Sequence, residues 1–131
     1  MPNIQINEEG TITHKNDIPW TILPLNTGTI AAYNDRFIPK YRKWGQIISL
    51  HGTVKPTSEI GVGSNLIIGT LPVGYRPLDE ECILCQGSGE AIWTLKISTE
   101  GVITASLYRD RAGYKAISTT TVLPFHITFL I

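Results

Sequence analysis

Six residues of this chain have the types and grouping that sugar recognition needs. Tyr108, Arg109, Asp110, Arg111 and Tyr114 fall in one short stretch bounded by Gly113, and Trp44 stands beside Gly45. An aromatic face packs on the apolar side of a sugar ring, while planar polar side chains hydrogen-bond vicinal hydroxyls. The 108–114 stretch therefore reads either as a saccharide-binding loop or as an ordinary solvated hairpin turn. Trp44 is either a second platform or a cover for the end of the fold. Glu59, Ser64 and Asn65, in a Gly-rich loop, line a tip site or form a spacer.

Other chemistries find less support. Cys82 and Cys85 are the only cysteines and lie three positions apart. In a strand, positions i and i+3 point to opposite faces, so neither a bridge nor a metal pair follows, and both read as free thiols. The three histidines, His14, His51 and His126, lack metal-ligand spacing. No GxSxG elbow, HExxH helix or P-loop is present, so neither a metal site nor a cofactor is expected. Glycoside hydrolysis needs only two carboxylates, which Asp79, Glu80 and Glu81 could supply, yet clustered loop carboxylates usually serve as solvated surface. The chain reads as a noncatalytic module.

Composition bounds the partners. Eleven Lys and Arg cancel eleven Asp and Glu, so the basic excess of a nucleic-acid protein is missing. Only 17% of residues are charged and 42% are hydrophobic, a balance that favours burial of some surface in an oligomer. The longest apolar runs are too short to span a bilayer, and the polar start MPNIQINEEG has no signal-peptide profile, which predicts synthesis in the cytoplasm and no membrane insertion.

The elements that must position these residues are strands. Helical periodicity is nearly absent, whereas period-two alternation recurs between Gly, Pro, Asn and Asp. Residues 1–19 form an N-terminal extension, a small hairpin around Asn7-Glu8-Glu9-Gly10 or the remnant of a stalk; residues 20–131 form the main domain. Ile48, Leu50, Gly52 and Val54 share one face, Ala91, Trp93, Leu95 and Ile97 another, and Phe125, Ile127, Phe129 and Ile131 a third. Trp44-Gly45 suits a tight hairpin turn, and Gly101 suits the left-handed position of a second. Residues 114–117 and 119–123 read as further strands. The spacing of turns implies about nine to eleven short strands in an all-β fold, an antiparallel sandwich or barrel of Greek-key or jelly-roll type.

The order of pieces carries a resemblance. Trp20-Thr21-Ile22-Leu23, then Tyr41-Arg42-Lys43, then ISLHGTV at residues 48–54, then IGTLPVGYRP at 68–77, then LKISTEGV at 95–102, with an aromatic-aliphatic last strand, resembles the C-terminal head or tip β-sandwich of tail-fibre and baseplate receptor-binding proteins from phages and prophages of Gram-positive hosts. The LPVGYRP turn is its most specific element, with Tyr75 and Arg76 read as structural and Arg76 directed to solvent or a carboxylate. The resemblance implies a homotrimer at the tip of a virion appendage, attached to other tail or baseplate proteins and binding host cell-wall polysaccharide or teichoic acid. A structural decoration or assembly subunit without glycan binding is the alternative it leaves open.

Overall fold

Alternation along the sequence becomes two antiparallel sheets stacked face to face. The computed structural model describes residues 4–6, 12–14 and 17–131. Its strands are β1 (Ile4–Ile6), β2 (Ile12–His14), β3 (Ile18–Ile22), β4 (Ile30–Ala32), β5 (Lys40–Trp44), β6 (Ile47–Pro56), β7 (Leu66–Thr70), β8 (Glu81–Gln86), β9 (Ile92–Ile97), β10 (Val102–Asp110), β11 (Gly113–Tyr114) and β12 (Leu123–Leu130). Sheet I has the order β12-β6-β5-β3, with β4 also on β6. Sheet II has the order β8-β9-β10-β11, with β7 also on β10. β1 and β2 pair with each other; the turn expected at residues 7–10 lies outside the described residues.

β6 organises sheet I. Its ten residues pair with β12 from Ile47 to Val54 on one side, and on the other with β5 in its first half and β4 in its last. Ile48, Leu50 and Val54 turn inward and are fully buried, as the alternation requires. Between them Gly52 is forced by close approach, because a Cβ there would lie 2.4 Å from the Cα of Pro39.

The opposing inner face comes from Leu66, Ile68, Trp93, Leu95, Ile97, Ile103 and Ala105. Trp93 is fully buried and meets Phe125 of sheet I edge to face, with ring centroids 6.4 Å apart. Its indole Nε1 has no hydrogen-bond partner, an unusual expense in a core and one offset by the area of the ring. Phe125, Ile127 and Phe129 are buried along β12, so the apolar last strand is docked as expected.

The 72–77 turn is locked in place rather than projecting. Leu71 N donates to Gly101 O at 2.9 Å, and Arg76 Nε donates to Leu71 O at 2.9 Å. Arg76 thus serves a backbone carbonyl, where solvent or a carboxylate was expected. Gly101 has φ +84°, and a Cβ would stand 2.7 Å from that same carbonyl oxygen, so glycine is required on both counts. Tyr75 packs edge to face on Tyr41 at 5.2 Å, and Lys43 Nζ lies 5.4 Å from the Tyr75 ring centroid. Burial, then the neighbouring Tyr75, pushes the Tyr41 hydroxyl above its ordinary pKa.

Two local expectations shift. The β5–β6 turn is Gly45-Gln46, with Trp44 paired to Ile47 inside the ladder, because Gly45 takes the positive φ of 61° that the first turn position needs. Of the strands expected at 114–117 and 119–123, the first shrinks to Gly113–Tyr114 with an isolated bridge at Ile117, and the second begins only at Leu123. Thr121 Oγ1 accepts from Ser118 N at 2.9 Å and Thr121 N donates to Ser118 O at 3.0 Å, a hydroxyl-stabilised turn that competes with the ladder.

Replacing Trp93 by Ala is expected to cost about 3–5 kcal/mol through lost burial and a residual cavity. Trp93→Phe should cost much less, since the Nε1–H it removes is unpaired. Denaturant midpoints measure both; equal losses would contradict this account of the core.

Candidate functional site

Burying one face of β6 places the other face outward. Across sheet I this outer face carries Lys40 and Arg42 from β5, Ser49, His51 and Lys55 from β6, and His126 and Thr128 from β12, in register as Lys40↔His51↔His126 and Arg42↔Ser49↔Thr128. Trp20 of β3 lies over this grid. Its ring meets His51 edge to face at 4.4 Å, and the Arg42 guanidinium carbon sits 5.5 Å from its centroid. His51 in turn lies 6.4 Å from His126, centroid to centroid. Ser49 and Thr128 share a hydroxyl hydrogen bond of 3.1 Å.

A groove of about 620 Å³ runs across this cluster and over the β12 edge to β8. Trp20, Phe37, His51 and His126 bound it on sheet I; Leu84 and Gln86 bound it on sheet II. Trp20 is 41% exposed, enough to offer its ring to a ligand while its edge contacts hold it still. An aromatic platform with guanidinium and imidazole groups around it is suited to a sugar ring and its hydroxyls.

Charge sharpens the chemistry. No strand position on the outer face of sheet I is Asp or Glu among the described residues. Lys40, Arg42 and Lys55 stand on the outer face, whereas Lys43 reaches the Tyr75 ring on the other side; residues 17–56 and 123–131 hold five basic residues against Asp17 and Asp35, and residues 57–122 hold five basic and seven acidic residues. A chain of zero net charge therefore presents one cationic face, favourable to an anionic ligand.

The residues singled out from the sequence divide. Tyr108, Arg109, Asp110, Arg111 and Tyr114 do come together, on the β10–β11 hairpin at the end of sheet II. Much of their polarity is used locally. Asp110 Oδ1 accepts from Ala112 N at 2.8 Å, Arg109 Nη1 donates to Leu107 O at 2.6 Å, and Arg111 Nη2 pairs with Glu90 Oε1 at 2.9 Å. Tyr108 packs against the core, while Tyr114 is 58% exposed. Leu107, at φ 55°, marks the bulge that swings this end of β10.

Trp44 is half exposed but stands apart from that hairpin. It pairs with Ile47 at the far end of β6, where Leu130 also pairs, and with them lines a separate hollow of about 580 Å³. Trp20, His51 and His126 were not selected from the sequence as a site. Trp20 follows a proline in a short strand, and the two histidines are 75 positions apart; only the β6–β12 register makes them neighbours.

Among the described residues no group of three or more His, Cys, Asp or Glu could hold a metal ion. Glu80 lies 3.8 Å from Lys96 on the surface. Cys82 is exposed and Cys85 buried, both free.

No protein-family model matches the chain, and no curated protein matches it. Among solved structures, the head domain of lactococcal phage bIL170, reported under the question of a common fold for the receptor-binding domains of lactococcal phages, is similar with a TM-score of 0.65 at 16% identity, covering 88% of this chain and 99% of that one. The chain thus has the fold of that head domain, an all-β sandwich as the sequence implied.

The cysteines give a direct check on which face is which. Burial pushes the Cys85 thiol up to about 11, whereas Cys82 faces solvent. A thiol reagent at neutral pH should modify Cys82 in the folded protein and reach Cys85 only on unfolding, as mass spectrometry of digested peptides would report. Equal labelling of both would contradict the orientation of β8.

Proposed function

We propose that this chain is a noncatalytic receptor-binding head of a phage or prophage tail appendage, binding a saccharide of the host cell wall. The observation that carries the reading is the Trp20 platform, edged by His51 and stacked by Arg42, on a cationic face beside a groove. The shared fold with a receptor-binding head domain supports it. A cationic face without acids favours a polymer bearing phosphodiesters, such as teichoic acid, over a neutral glycan.

The working form is a homotrimer at the virion tip, held by other tail or baseplate proteins. Low overall charge and the exposed apolar side chains Trp44, Leu84 and Leu130 support burial between chains. The 108–114 hairpin is a secondary candidate contact through Tyr114.

Binding of purified wall teichoic acid to the intact oligomer, with oligomeric state followed by light scattering, tests the reading. Trp20→Ala is expected to weaken binding roughly tenfold, matching about 1–1.5 kcal/mol of lost stacking. Tyr114→Ala should change it less than Trp20→Ala; the reverse order would move the site to the hairpin. Absence of binding by an intact trimer would favour a structural virion subunit, and release of sugar fragments would sink the noncatalytic reading.

A further inference from the structure

Resting on that reading, one consequence concerns how the site responds to acidity. His51 and His126 are direct cross-strand partners, and on its other side His51 is paired with Lys40. Lys40, His51 and His126 thus lie in one row across β5, β6 and β12, and the two imidazoles line the groove. We infer that capture of an anionic saccharide here is coupled to protonation of His51, in the row it forms with Lys40 and His126, so that the head takes up a proton as it binds and holds its ligand more tightly in acid.

The surroundings leave little else to compensate these charges. From β3 the cluster meets Trp20; from β5, Lys40 and Arg42; from β12, His126 itself; from β8, the uncharged Leu84 and Gln86. The buried Cys85 thiol, which also lines the groove, stays neutral. In the 33–38 loop Arg36 lies over Phe37, 5.7 Å from its centroid, and Asp35 is the one acid of that loop. An imidazolium forming in this row is repelled by its neighbours until an anion arrives.

The direction agrees. Burial, then His126 and Lys40, hold His51 below its ordinary value. A depressed histidine binds fewer protons folded than unfolded, so the free protein loses stability as pH falls from the ordinary histidine range toward the folded value. A phosphodiester in the groove reverses the balance by favouring the charged rings. Since phosphodiesters keep their charge throughout this range, any proton taken up on binding belongs to the protein.

Calorimetric titration of wall teichoic acid into the intact protein, in buffers of differing ionisation enthalpy, counts those protons directly. The expected result is net uptake near pH ~6, with affinity about fivefold to tenfold higher at pH ~5.5 than at pH ~7.5. His51→Gln should remove most of the pH dependence if it folds; His126→Gln, at an exposed position, takes a neighbouring ring away from His51 and should change that dependence while leaving the fold intact. Binding with zero proton uptake and equal affinity at both pH values would overturn the coupling but leave the saccharide reading standing. No binding at either pH would overturn both, and a pH dependence unchanged in His126→Gln together with His51→Gln would assign the protons elsewhere and overturn the inference.

Discussion

The alternation along β6 is the constraint on which the rest depends. A pleated strand sends successive side chains to opposite faces. Seating Ile48, Leu50 and Val54 against sheet II therefore commits Ser49, His51 and Lys55 to the outside. Because β12 pairs along β6 without a break, the same commitment places His126 and Thr128 beside them. Core and candidate site are two sides of one ladder, and a slip of one residue would exchange them.

The two ends of the sandwich are managed differently. At one end the 72–77 turn and the Gly101 hairpin close on each other through backbone hydrogen bonds and the Arg76 guanidinium. That explains how a segment so rich in proline stays ordered: Leu71 donates its N–H to the Gly101 carbonyl of the neighbouring loop, and the Arg76 guanidinium donates to the Leu71 carbonyl. At the other end β10 bulges at Leu107 and finishes in a hairpin in which Asp110 holds the turn and Arg111 reaches across to Glu90 of the β8–β9 connection. A loop with its charges already engaged offers fewer of them to a ligand than the grid on sheet I, where Lys40, Arg42 and the histidines face one another without a carboxylate among them.

Much of the framework was legible in the residues. Three alternating runs marked the inner faces of β6, β9 and β12, and the structure buries the residues they nominated, from Ile48 to Phe129. Trp93 was readable as core because Leu95 and Ile97 follow it at period two. The turns were harder. Thr121 looks like a strand residue until its hydroxyl accepts from the backbone N–H of Ser118, and Trp44 looked like a turn residue because Gly45, beside it, is one.

The sequence by itself determined an all-β fold of sandwich or barrel type, its buried faces, the separation of Cys82 from Cys85 and the grouping of residues 108–114, since each rests on period-two alternation or on neighbours along the chain. Tertiary structure alone decided that Trp20, Arg42, His51 and His126 meet, and that a chain of balanced charge turns a cationic face outward. The reason is strand register: residues far apart in sequence become neighbours only when β3, β5, β6 and β12 are paired, and that pairing is fixed by burial on the opposite side of the sheet.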